Sequence, residues 1–164
     1  QKQENGKVAC VLATEDMPNA LERGNEITIG TAEAIRLLEK NEKGFFLMIE
    51  SSGTDKFGHS NNINGKLASV VTLDRTVAAV LAFMKNNPDK IVWCGEFGNI
   101  RHAKLEWRIA WFKDVIGFLK ENEIPYSVWN YLSTPNDGNR FSLTDDETRA
   151  ILCEELHNVL LGDF

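Results

Sequence analysis

The sequence lacks the features that mark several classes of protein. It has three cysteines, Cys10, Cys94 and Cys153, and this odd, widely spaced set predicts buried thiols and argues against a disulfide framework. Its 18 basic residues are scattered among 24 acidic ones, which argues against a nucleic-acid partner because phosphates are bound by clustered positive charge. No stretch approaches the roughly 18 consecutive apolar residues of a membrane span, so no membrane partner is predicted.

The first residues, QKQENGK, are polar and do not resemble a signal peptide. Cleavage of a signal peptide would leave a similar start, so the cellular compartment stays unknown. With 164 residues and 43% hydrophobic content, the chain is long enough for one compact core and short for two. We therefore expect a single domain over residues 1–164.

Apolar runs of strand length alternate along the chain with segments of helical periodicity. In each helical segment, apolar residues recur every three or four positions. The predicted strands are 7–14, 44–51, 90–97 and 126–132, and the predicted helices are 30–41, 65–88, 102–123 and 144–161. The second of these helices is predicted to bury an apolar face that includes Leu67, Val70 and Val71.

Apolar strands that are each followed by a helix are typical of parallel sheets, which need helical crossovers and are covered by helices. The predicted fold class is α/β, with a four-stranded, mainly parallel sheet flanked by helices in a three-layer sandwich. A half-barrel that forms a homodimer to cover its exposed strands is the alternative. In both architectures, ligands bind at the carboxyl ends of the strands.

Three potential metal ligands follow the second predicted strand, in the stretch GFFLMIESSGTDKFGHSNN at residues 44–62. Glu50 ends the strand, and Asp55 and His59 lie in a predicted loop that contains Gly53 and Gly58. Imidazole and carboxylate donors suit zinc, whereas carboxylate and water suit magnesium. From spacing alone, a solvated loop with a capping Asp is the alternative interpretation.

The same stretch resembles the alkaline phosphatase family, in which an apolar strand is followed by Glu, four residues, Asp, three residues and His. The resemblance covers about residues 7–92. It implies that Glu50 contributes to a magnesium site, that Asp55 and His59 bind zinc, and that the substrate is a phosphate monoester. The family's nucleophilic serine has no counterpart here, and its Asp-His pair after the third strand is replaced by Glu96 and Phe97. The site implied by the resemblance is therefore incomplete.

The stretch VWCGEFGNIR and the residues after it are similar to the last two β/α units of cellulase-like glycoside hydrolases built on a (β/α)8 barrel. This second resemblance covers about residues 91–164. It implies that Glu96 is a catalytic nucleophile and that Trp129 stacks on a saccharide. A retaining glycosidase needs a second carboxylic acid about 5 Å away. No Asn-Glu pair of this sequence ends a predicted strand, so this site is incomplete too.

The two resemblances meet inside the strand 90–97, where both families have an apolar strand that ends in a carboxylate. We interpret the chain as chimeric, recombined or generated. Three functional hypotheses follow: a zinc- and magnesium-binding phosphatase-like hydrolase with weak or no activity, a glycosidase fragment that uses Glu96, and a catalytically silent scaffold. The expected ligand is a small phosphate ester or a saccharide. Both families are mostly periplasmic or secreted, which leaves the location of this chain open.

Overall fold

The computed structural model of the protein describes residues 2–4, 7–9, 24–132, 141–145 and 147–164. The chain divides into two compact units, Gln1–Pro88 and Asp89–Phe164. Cys10 and residues 10–14 of the first predicted strand lie outside the described residues.

The first unit contains a hairpin and three helices. Strand β1 (Lys2–Glu4) pairs antiparallel with strand β2 (Lys7–Ala9), with Lys2 opposite Ala9. The helices are α1 (Glu26–Leu38), α2 (Gly53–His59) and α3 (Ile63–Asn86). Helix α1 begins four residues before the predicted start, and α3 matches the predicted helix to within two residues at each end. The Asn62 side chain caps α3 by accepting the N–H of Gly65 at 2.9 Å.

Helix α3 packs against α1 and α2 through small and hydroxyl-bearing residues. On the α1 side, the hydroxyls of Thr28 and Thr76 lie 3.0 Å apart. On the α2 side, a Cβ atom at Gly65 would lie 2.7 Å from the ring of Phe57. Only glycine permits so close an approach of the two helices. The buried face of α3 is formed by Gly65, Ser69, Thr72 and Thr76.

The predicted burial of the apolar face of α3 is wrong for Leu67, Val70 and Val71, which are all exposed. That prediction assumed a sheet beside the helix, and the described part of the chain has no parallel sheet there. Among the described helices, α3 is the one long and apolar enough to span a membrane by length and composition alone. Asp74 and Arg75 lie near its middle.

The second unit is built on helices α4 (Leu105–Glu121) and α5 (Glu154–Leu161). Its core lies between them and contains Ile109, Phe112, Ile116, Leu156 and Val159. Phe97 packs against this core, and its ring centroid lies 6.2 Å from that of Phe112. Because each helix places its apolar residues three or four positions apart, the two stripes face each other in one cluster.

The helix predicted over residues 144–161 forms only in its second half. Thr144 pairs with Ile151 in an antiparallel bridge, and the carboxylate of Asp145 accepts the backbone N–H groups of Glu147 and Thr148. Arg149 then adopts a φ of 64°. Asp side chains that bond nearby backbone N–H groups favour turns over helix, which explains the late start of α5.

The predicted four-stranded parallel sheet is wrong, for the sandwich and the half-barrel alike. Within the described ranges, the β1–β2 hairpin is the only sheet. Residues 44–50 form neither a helix nor a strand, and Phe46 is 87% exposed. In the second unit, residues around Cys94 and Tyr126 meet in a single parallel bridge. An apolar segment becomes a strand only when neighbouring segments pair with its backbone groups, and here that pairing is almost absent.

Candidate functional site

Asp55 and His59 lie one turn apart on α2. Residues four positions apart share one face of a helix, and His59 Nε2 lies 3.3 Å from Asp55 Oδ2. Asp55 is in the first turn and His59 in the last, where an acidic and a basic side chain each complement the helix dipole. Both side chains are exposed. The pair therefore offers one oxygen and one nitrogen donor on a single accessible face.

The segment that carries this pair is a helix, and the predicted loop with glycine hinges is wrong. A Cβ atom at Gly53 would lie 2.5 Å from Ser69 Oγ on α3, so Gly53 allows α2 to pack closely. Gly58 faces the Lys66 side chain, because a Cβ atom there would lie 3.0 Å from Lys66 Nζ. The two glycines thus allow α2 to approach α3 and its side chains, and the short helix fixes the spacing of Asp55 and His59.

Glu50 lies in the segment 44–50, which forms neither a helix nor a strand, and its side chain is exposed. In the described part of the chain, no group of three or more Cys, His, Asp and Glu side chains is arranged to hold a metal ion. The structure therefore brings Asp55 and His59 together and does not bring Glu50 into one cluster with them. The assignment of these three residues as metal ligands stays a prediction.

Glu96 and Trp129 lie on two neighbouring extended segments of the second unit. The N–H of Ser127 donates to the carbonyl of Cys94 at 3.0 Å, and the N–H of Trp129 donates to the carbonyl of Phe97 at 2.9 Å. These bonds align the segments in parallel, so both residues lie at the same end of the pair. Glu96 is exposed, and Trp129 is 48% exposed. An accessible carboxylate and an accessible indole thus share one edge of this unit.

Cys94 begins this pair of segments and is half-buried. Burial raises the pKa of its thiol. The thiolate is the form that attacks substrates and binds metals, so the raised pKa keeps Cys94 in its unreactive form at neutral pH.

Sequence reasoning missed Arg108, which is 7% exposed on the core face of α4. Its Nε donates to Asn99 Oδ1 at 2.9 Å. Arg108 stands four and eight residues before the core residues Phe112 and Ile116. This spacing places Arg108 on the apolar face of the helix. An arginine at such a position is the sequence signal that could have predicted its burial.

Comparison with known proteins gives two kinds of match. The family model of alkaline phosphatase matches residues 1–95. The chain is 44% identical over 62 residues to alkaline phosphatase of Escherichia coli strain K12, a match that covers 38% of this chain and 13% of that protein. It is 30% identical over 94 residues to alkaline phosphatase 3 of Bacillus subtilis strain 168, covering 56% of this chain and 20% of that protein.

The second kind of match is to a cellulase. The chain is 28% identical over 131 residues to Endoglucanase C of Acetivibrio thermocellus, covering 80% of this chain and 33% of that protein. The suspected resemblances to both groups are thus confirmed. The alkaline phosphatase model covers 95 residues and the endoglucanase match covers 131, and together these exceed the 164 residues of the chain. The two matches therefore overlap within residues 1–95. In every case the chain spans a third or less of the length of its relative.

Proposed function

Because the chain belongs to the alkaline phosphatase family, whose model matches residues 1–95, we propose that it is a metal-binding, phosphatase-like hydrolase domain with weak or no turnover. Asp55 and His59 are the proposed zinc ligands. Their 3.3 Å separation on one face of α2 is the observation that carries the proposal.

The donor set fits part of a zinc site. Carboxylate oxygen and imidazole nitrogen are both zinc ligands, but zinc sites in proteins are usually four-coordinate, with at least three protein ligands at catalytic centres. The described residues place only two potential ligands side by side. When bound, zinc would supply a Lewis acid that polarises a phosphoryl oxygen. With a partial ligand set we expect weak zinc binding, and weak or no turnover.

Glu50 is the proposed magnesium ligand, by resemblance to the family. Glu50 lies three residues before the start of α2 and is therefore near the pair in sequence. It belongs to no three-residue group of potential metal ligands among the residues described. A role for Glu50 in magnesium binding therefore predicts an effect of magnesium that is independent of His59.

Thermal melts in zinc, in magnesium and in a chelator test this proposal. Zinc should raise the melting temperature of the wild-type chain, because a ligand that binds only the folded state stabilises it. The rise should be lost in His59→Gln and kept in the matched control His157→Gln. Magnesium should lose its effect in Glu50→Gln only. A zinc effect that survives His59→Gln would refute the assignment of the ligands.

Turnover is measured separately, with para-nitrophenyl phosphate. We expect a rate close to that of the uncatalysed reaction, and any residual rate should disappear in Asp55→Asn. Rapid hydrolysis that is insensitive to chelator and to Asp55→Asn would contradict the proposed site.

A second candidate function is saccharide binding at Glu96 and Trp129. The parallel alignment of their two segments supports it, because it brings a carboxylate and an exposed indole to one edge. Cello-oligosaccharides should quench tryptophan fluorescence in the wild-type chain and in Trp107→Ala, an exposed control, but not in Trp129→Ala. Aryl-glycoside hydrolysis, if measurable, should be lost in Glu96→Gln, and its persistence there would exclude Glu96 as the nucleophile.

A further inference from the structure

An open groove lies in the first unit, between the start of α1 and the first half of α3. Its volume is about 430 Å³, which is within the range of sites that bind small organic molecules. Along α3, its lining consists of apolar residues between two polar ones, and a second amide comes from the residue before α1. The main lining residues are Asn64, Leu67, Ala68, Val71 and Arg75 of α3, and Asn25.

The apolar floor of the groove is exposed to solvent. Leu67 is 57% exposed and Val71 is 50% exposed, and the two lie one turn apart on the same face of α3. The helix buries its small and hydroxyl-bearing residues against its neighbours, which turns these larger side chains outward. Exposed apolar area in a concave site favours a ligand with a hydrocarbon part, because binding removes that area from water.

Arg75 supplies a positive charge at one end of this floor. It follows Val71 by one turn on α3, and its Nη1 donates to Asn25 Oδ1 at 2.6 Å. In the described part of the chain, this bond to a neutral amide is the only polar contact of Arg75. A guanidinium has five N–H donors and keeps its charge, so most of its donors remain available to an anion.

The acidic residues nearest in sequence form no ion pair with Arg75. Asp74 precedes it, but adjacent residues of a helix do not face each other. Glu26 follows Asn25, and its Oε2 is buried without a hydrogen-bond partner among the described residues. Neither of these acidic residues lines the groove. The electrostatic complement of the groove is therefore a single negative charge beside Arg75.

We propose that this groove binds a medium-chain carboxylate, with its hydrocarbon chain on Leu67, Ala68 and Val71 and its carboxylate at Arg75. From Leu67 to Arg75 the helix rises about 12 Å, at about 1.5 Å per residue, which matches a molecule of this kind. A guanidinium binds a carboxylate through two parallel hydrogen bonds. The groove lies outside the proposed zinc ligands of α2, so the two proposals are independent.

Calorimetric titration with octanoate, octanol and acetate in the presence of a chelator tests the proposal, because octanol lacks the charge and acetate lacks the hydrocarbon chain. Octanoate should bind the wild-type chain at least about tenfold more tightly than octanol, the difference expected for a hydrogen-bonded charge. Acetate should show no measurable binding. Equal affinities for octanoate and octanol, or no binding of octanoate, would overturn the proposal.

Variants separate the charge of the groove from its apolar floor. Arg75→Met should weaken octanoate binding at least about tenfold and leave octanol binding unchanged, and Arg75→Lys should restore part of the affinity. Arg36→Met, which removes an arginine of α1 that is paired with Glu33, is the matched control and should bind octanoate like the wild type. Leu67→Ser should weaken the binding of both molecules, whereas Val70→Ser, at an exposed position of α3 outside the groove, should not. Octanoate binding that stays unchanged in Arg75→Met or in Leu67→Ser would exclude the groove as the site.

Nuclear Overhauser effects between octanoate and the wild-type chain provide a second measurement, which does not depend on the folding of a variant. Contacts from the methylene protons of octanoate to the methyl groups of Leu67 and Val71 are the expected result. Contacts that involve only methyl groups of the second unit would overturn the proposal.

Discussion

His59 Nε2 lies 3.3 Å from Asp55 Oδ2 on one face of α2, so the two side chains can reach one ion without a change of backbone. Among the described residues, no third Cys, His, Asp or Glu side chain joins them in a group that could hold a metal ion. The relationship depends on a short helix, since the same two residues in an open loop would have no fixed spacing.

We expect the two residues to act as one zinc site. Asp55→Asn and His59→Gln should each weaken zinc binding by at least about tenfold, the lower limit seen when only an outer-shell partner of a ligand is lost. The loss of zinc-binding free energy in the double variant should be smaller than the sum of the losses in the two single variants, because both ligands bind the same ion. Calorimetric titration of the wild-type chain, the two single variants and the double variant with zinc measures these free energies. Fully additive losses would indicate two independent sites.

The contact between Gly65 and Phe57 predicts an unusual effect of alanine in a helix. Gly65→Ala should lower the free energy of unfolding by about 1–3 kcal/mol, because the new Cβ overlaps the Phe57 ring and must displace it. Gly30→Ala on α1 is the control, since a Cβ there meets nothing within 4 Å. It should raise the free energy of unfolding by up to about 1 kcal/mol through helix propensity. Denaturant unfolding distinguishes the two, and stabilisation by both variants would contradict the packing of α2 on α3.

The core of the second unit predicts a contrast between two phenylalanines of α4. Phe112 is buried against Phe97 and Trp111, and Phe112→Ala should lower the free energy of unfolding by about 3–5 kcal/mol. Phe118 on the same helix is 39% exposed, and Phe118→Ala should cost less than half as much. Urea denaturation provides the comparison. Equal losses would mean that α4 buries a different face.

The alignment of Glu96 with Trp129 depends on Gly98. A Cβ atom at Gly98 would overlap the carbonyl oxygen of Trp129, whereas a Cβ atom at Gly95 meets nothing within 4 Å. Gly98→Ala should therefore separate the two extended segments, lower the melting temperature and abolish any saccharide binding. Gly95→Ala should keep both properties close to those of the wild type. Retention of saccharide binding in Gly98→Ala would exclude this edge as the binding surface.

Acid stability should depend on Asp145. Its pKa lies below the ordinary value of 3.8 because the Thr148 N–H, the Thr148 hydroxyl and the Glu147 N–H all stabilise the carboxylate. A lowered folded-state pKa contributes stability above the ordinary pKa, and this contribution is lost as the pH falls through the folded-state value. The stability difference between wild type and Asp145→Asn should therefore shrink between about pH 6 and about pH 2. Thermal melts across this pH range measure the stability difference, and Asp114→Asn is the control for the loss of one negative charge. A difference between wild type and Asp145→Asn that stays constant with pH would refute the prediction.

Local patterns predicted the long helices well. Helix α3 ends at Asn86, two residues before Pro88, and its periodicity placed both ends to within two residues. The helical periodicity of α4 was also sufficient to predict that helix, because a helix forms its backbone hydrogen bonds within one segment of the chain. The start of α5 was predicted too early, since the Asp145 turn competes locally with the helix.

The candidate site was predicted in part. The spacing of Asp55 and His59 identified two residues that the structure brings together, although their helix was expected to be a loop. Glu50 was predicted from the same motif and lies outside their cluster. Arg108 was missed because its burial depends on residues of α5, which follow it by more than forty positions.

The sequence by itself determined the family of this chain, the positions of its long helices and the identity of its candidate ligands, since all three depend on residue types at short spacings. Only the tertiary structure decided whether apolar segments pair as strands and which face of α3 is buried. It also decided that Arg108 lies beside a cavity. Strand pairing and burial depend on contacts between distant parts of the chain, and the chain's local periodicity is the same whether those contacts form or not.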